Sequence, residues 1–92
     1  MRQKEHQLSA EIRNGNFSFL EPGRYTISEI YKLVNNRFPD LCDNQYLCSQ
    51  NCKSGHNHPE WFHVVRGCLQ NGKAAGIIIN TNRGVWQKQV IG

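Results

Sequence analysis

An α+β fold, with about three helices, a C-terminal β-hairpin and a short N-terminal arm, is predicted by three features of this 92-residue chain. The first is a long amphipathic helix from His58 to Ala75. Trp61, Val64, Val65, Cys68, Leu69 and Ala75 fall on one stripe at the 3.6-residue period. The second is a helix opened by Thr26-Ile27-Ser28-Glu29 and stopped by Pro39. The third is the hairpin pattern of Ile77 to Asn80, the turn Thr81-Asn82-Arg83-Gly84, and Val85 to Ile91. A helix with a basic outer face followed directly by a basic hairpin is the pattern of a winged helix-turn-helix.

Residues 1–23 read as an N-terminal arm or an extra helix or strand, and residues 24–92 as the winged-helix domain. Ser9 to Arg13 fit one or two helical turns with Leu8 and Ile12 on one side, ended by Gly15. Phe17, Phe19 and Leu20 alternate loosely with polar neighbours, as in a short strand or extended arm, before the turn Glu21-Pro22-Gly23. In the next helix Thr26 caps and Glu29 reaches back, while Ile27, Ile30, Tyr31, Val34 and Phe38 form the buried stripe. The only candidate for a middle helix is short. It is capped by Asp43 and runs from Asn44 to about Gln50, with Tyr46 and Leu47 as its buried contacts. Residues 51–56 read as loop. Asn57 or His58 is the expected cap of the long helix, Pro59 suits its first turn, and Gly76 offers the left-handed exit.

The formal net charge is +4, and its distribution is more informative than its size. From Trp61 to Gly92 there are four basic residues (Arg66, Lys73, Arg83, Lys88) and no acid, whereas residues 1–60 hold all seven acids. That asymmetry is the footprint expected when one face meets phosphate. No apolar run is long enough to cross a membrane, and Met1 to His6 lead into no apolar stretch of a secretory signal. A cytoplasmic setting is therefore expected.

The candidate recognition surface is His63, Arg66, Gln70 and Lys73 on the polar side of the long helix, with Arg83 and Lys88 in the hairpin serving the phosphate backbone. Arginine bonds bidentately to guanine, glutamine to adenine, and lysine to guanine or phosphate. The partner so implied is double-stranded DNA. Two alternatives stay open. One is a winged helix used for protein contact, with Phe62 and the first twenty residues as interface and a homodimer through the arm. The other is a small zinc-stabilised module.

Cys42, Cys48, Cys52 and His56 are the metal candidates, spaced C-x5-C-x3-C-x3-H in a segment poor in apolar anchors. Tetrahedral zinc accepts such a set, but paired C-x2-C knuckles are missing and free thiols account for the residues equally. Cys68 lies on the apolar stripe as a small hydrophobe. No carboxylate cluster points to catalysis by this chain. The string His56-Asn57-His58 is better explained by helix capping than by nuclease chemistry.

The stretch Tyr25 to Tyr31, then Pro59-Glu60-Trp61-x-His63-x-Val65-Arg66-x-x-Leu69-Gln70, Gly76-Ile77 and Arg83-Gly84-Val85-Trp86, resembles the winged-helix domains of bacterial restriction endonucleases. The Mrr-like amino-terminal domain is the example. The resemblance spans about residues 24–90. It implies that the helix from His58 to Ala75 is the recognition helix, and that Arg83 to Trp86 open the second wing strand. It also implies a targeting role beside a nuclease domain in the same or a partner chain. One departure is Gly72, which stands where that pattern has a large aliphatic residue. A neighbour, with Trp86 as the candidate, must fill the gap.

Overall fold

The computed structural model describes residues 3–47 and 58–88. Three α-helices and a three-stranded antiparallel sheet follow one another as α1 (Gln3–Asn14), β1 (Gly23–Thr26), α2 (Ile27–Arg37), α3 (Glu60–Ala74), β2 (Ile78–Asn82) and β3 (Val85–Lys88). A single 3-10 turn, Pro39–Leu41, follows α2. The sheet order is β1-β3-β2, so the last strand lies in the middle. Among the described residues no helix is long and apolar enough to cross a membrane.

The N-terminal region is a helix with a folded turn, neither a loose arm nor a strand. Leu8 and Ile12 sit in the core, on the side of α1 that packs on α3. Residues 15–20 then curl back on themselves. Phe17 N–H donates to the Ile12 carbonyl, and Leu20 N–H to the Phe17 carbonyl. Asn16 and Phe17 both adopt positive φ (51° and 60°). The alternation of Phe17, Phe19 and Leu20 predicted an extended segment. The left-handed pair instead points Phe17 and Leu20 into the core, each only 2% exposed.

Helix α2 begins and ends where its residues predict. The Thr26 hydroxyl accepts from Glu29 N–H, and the Glu29 carboxylate accepts from Thr26 N–H. Hydrogen bonding of the Glu29 carboxylate to the Thr26 N–H first, and to the Thr26 hydroxyl second, holds the Glu29 carboxyl below its ordinary range. A depressed carboxyl contributes while ionised, so this contribution is present at neutral pH and fades as pH falls through the folded-state value. Thr26→Ala is expected to cost about 1 kcal/mol in equilibrium unfolding. A loss within error would mean that the cap is redundant with the β1 pairing beside it.

The predicted middle helix after Asp43 is absent from its described part. Asn44 to Leu47 form turns, with the Asp43 carboxylate accepting from Gln45 N–H, and Leu47 is 43% exposed. The remainder of that predicted helix, residues 48–50, and the loop at 51–56 lie outside the described residues. The segment nevertheless positions α3. Leu47 bridges Pro59, Glu60 N–H donates to the Tyr46 carbonyl, and Trp61 Nε1–H donates to Asn44 Oδ1 at 2.9 Å. Pro59 is therefore the cap residue, with no side-chain cap bond; His58 does not cap, and Asn57 lies outside the described residues. The Tyr46 carbonyl takes over that task.

At its far end α3 closes as predicted. Gly76 sits at φ 81°, with its N–H on the Lys73 carbonyl and Ile77 N–H on the Gly72 carbonyl, a Schellman turn. The chain is thereby aimed into the hairpin. Opposite the paired residues, Thr81 is an extra residue between Asn80↔Trp86 and Asn82↔Val85, so β2 runs to Asn82 and the tip shrinks to Arg83-Gly84. Asn80 Nδ2 clasps the bulge by donating to the Asn82 and Val85 carbonyls.

Candidate nucleic-acid interface

The polar side of α3 faces outward. Arg66, Gln70 and Lys73 are exposed, and so is Arg83 at the hairpin tip. None of the four side chains forms a hydrogen bond or ion pair with another described residue. No described acid neutralises this ridge. The buried stripe of α3 (Trp61, Val64, Val65, Cys68, Leu69, Gly72) holds it in place against α1 and the sheet.

The hairpin tip folds toward that ridge. Ile27 N–H, at the start of α2, donates to the Gly84 carbonyl at 2.9 Å and fixes the tip beside α2. A cleft of about 200 Å³ results, lined by Ile27, Arg66, Gln70, Asn80, Arg83, Gly84 and Trp86. Of the six residues expected at the surface, Arg66, Gln70 and Arg83 thus share one cavity. Lys73 lies one turn further along α3, outside it. His63 is half-buried and belongs to two other depressions. One contains Ser9, Gly67 and Asn71, and the other Tyr31, His58, Phe62 and Arg66.

Lys88 is placed differently from its expected backbone role. Its ammonium donates to the Phe17 and Leu20 carbonyls, both at 2.7 Å, and so ties the 15–20 turn to the central strand. Those two carbonyls form a ready acceptor pair that nothing in the local sequence of β3 announces. Lys88→Met is expected to destabilise the fold by about 1–3 kcal/mol, because two acceptors lose a charged donor. The salt dependence of any DNA binding should be unchanged. A reduced salt slope with intact stability would restore the phosphate role.

Gly72 is filled by Phe17 and not by Trp86. A Cβ at Gly72 would lie 2.7 Å from Phe17 Cε2 and 3.1 Å from Ile78 Cγ1. The missing side chain is the socket for a ring from the N-terminal turn.

Burial raises the Cys42 thiol to about 11 and also pushes the Cys68 thiol up; both are buried free thiols. Cys68 Sγ lies 3.6 Å from Ser9 Oγ at the α1–α3 contact. Cys48, Cys52 and His56 lie outside the described residues, and among the described residues no group of three potential metal ligands occurs.

An aromatic cluster that sequence reading did not single out flanks the ridge. Tyr31 of α2 stacks on Phe62 of α3 with centroids 4.0 Å apart and planes 8° apart, while Trp61 meets both rings edge-on. Burial pushes the Tyr31 phenol above its ordinary value, and the neighbouring Arg66 guanidinium opposes the rise. His58, Phe62 and Arg66 are spaced four apart, which was the available signal. The partner on α2 was not legible.

Comparison with known protein families, curated proteins and solved structures yields no match.

Proposed function

We propose that this chain is a winged helix that binds double-stranded DNA without itself catalysing a reaction. The observation that carries the reading is the shared cleft, where Arg66 and Gln70 of α3 meet Arg83 of the hairpin tip. Two guanidiniums and an amide around one cavity suit a backbone phosphate, and no described acid competes for them. The order helix, strand, helix, helix, hairpin supports the winged-helix assignment, with α3 as the recognition helix and β2–β3 as the wing. On this reading α1 is the first helix of the body and α2 the middle one. The resemblance to restriction-endonuclease domains extends the proposal to a targeting role, with a nuclease domain in the same or a partner chain.

The shared cleft favours phosphate holding by Arg66 over base reading. Gln70 and Lys73, further along the exposed face, are left to enter the major groove. The protein-contact alternative loses its apolar material. Leu8, Ile12, Phe17 and Leu20 are core residues, and Phe62 is half-covered by Tyr31.

Backbone amide shifts on titration with random-sequence duplex test the location. Changes are expected at Arg66, Gln70, Lys73 and Arg83. Changes confined to α1 and the 15–20 turn would overturn the assignment.

A further inference from the structure

We propose that the cleft between α3 and the hairpin tip takes the phosphate monoester at the end of a DNA strand in preference to an internal phosphodiester. The chain then favours duplex ends and breaks that carry a terminal phosphate. This rests on the duplex-binding reading and names the form of phosphate that its cleft fits best. Three observations support it.

The first is charge. Arg66 and Arg83 line one cavity of about 200 Å³, and no acid lines it with them. The carboxylate nearest to Ile27 in the chain, that of Glu29, is committed to the Thr26 N–H. Two guanidiniums at one cavity repel each other, and an anion of equal charge offsets that repulsion best. An internal diester carries a single negative charge. A terminal monoester carries about 1.5 to 2 at neutral pH.

The second is the number of acceptors. A guanidinium presents its donors as a planar fork that engages two oxygens at once. The two free oxygens of a diester cannot serve two forks in full. The three terminal oxygens of a monoester can, with one oxygen shared between the forks. Gln70, in the same wall, adds amide donors. Asn80 adds none, because its amide nitrogen already donates to the Asn82 and Val85 carbonyls.

The third is shape. The bulge at Thr81 shortens the tip to Arg83-Gly84, and Ile27 N–H holds the Gly84 carbonyl at 2.9 Å. The tip is therefore folded toward α3, and Arg83 meets Arg66 across a hollow with Ile27 and Trp86 as its apolar walls. Such walls lower the local dielectric and strengthen bonds to an ion. A strand in mid-chain must enter and leave this hollow, whereas a strand end only has to enter.

The test compares the full chain's affinity for one short duplex in several forms: ends closed by loops, hydroxyl ends, 5′-phosphate ends and 3′-phosphate ends. A phosphorylated end is expected to bind about tenfold tighter than the hydroxyl and closed forms, as a further bond to a charged group allows. Whichever phosphorylated form is favoured identifies the strand end that enters. Arg66→Ala and Arg83→Ala should each abolish the ratio between phosphorylated and hydroxyl forms, whatever they do to overall affinity. Both side chains are exposed, so the fold tolerates the changes. Equal binding of all forms by the unaltered chain overturns the end preference and leaves the duplex reading standing. A ratio that survives both substitutions also overturns it, because the terminal phosphate then sits elsewhere. Capture of a phosphorylated single strand as tightly as the phosphorylated duplex, with the closed form unbound, would sink the duplex reading and retain the end preference. Binding of no form overturns both.

Discussion

Phe17→Ala is expected to destabilise the protein by about 3–5 kcal/mol, a large share of what a domain of this size possesses. The ring is 2% exposed and seats on the Gly72 backbone of α3, so its removal leaves a cavity that neighbouring elements cannot easily collapse into. Collapse is resisted because the turn around it is held from several sides. Ile12 accepts from the Phe17 N–H, while Leu20 N–H and the Lys88 ammonium both reach the Phe17 carbonyl. The ring also explains the positive φ of Phe17, a strained conformation kept because packing over-determines it. Gly72→Leu should fail for the converse reason, since even a Cβ would lie 2.7 Å from the ring. Overpacking of that kind costs about 1–3 kcal/mol and outweighs the roughly 1 kcal/mol that leaving glycine returns to a helix interior. The Phe17→Ala, Gly72→Leu double variant should be more stable than the sum of the single losses, because the leucine enters the space left by the ring. Additive losses in denaturant unfolding would show that the two positions do not share one cavity.

The second large effect is expected at Arg66 and Arg83. Either alanine substitution should weaken duplex binding by about 1.5–3 kcal/mol, the range for hydrogen bonds to a charged group. A phosphate contact weakens every sequence alike, and it lowers the salt slope by about one for each cation removed. Since both guanidiniums line one cleft, the double variant should lose less than the two singles combined. Loss on some sequences only, for Arg66→Ala, would return that residue to base reading, as its place on the helix face alone had led us to expect.

How far these features could be read without coordinates depends on how local their causes are. The capping box at Thr26, the stop at Pro39 and the exit at Gly76 lie within a few residues of what they control. Those ends were legible. Strand β1 was not, because Gly23 to Thr26 are mostly exposed and only pairing with β3 makes them a strand. The left-handed pair Asn16-Phe17 contains no glycine to announce it. Its cause lies in Gly72 and Lys88, far along the chain. The same division runs through the candidate site. Arg66, Gln70 and Arg83 were picked out by their types and helical phase, but the bond from Ile27 to Gly84 that brings the tip to the helix was not. A lysine in a strand reads as solvated until its acceptors are seen. The ties of Lys88 to the Phe17 and Leu20 carbonyls went unread for that reason.

Affinity for a random-sequence duplex as a function of salt tests the central claim most directly. With the Arg66 and Arg83 charges each counting as about one neutralised phosphate, log affinity should fall linearly with log salt at a slope of about −1.8, from about −0.9 per phosphate. A slope near zero, or no measurable binding at low salt, would contradict the account.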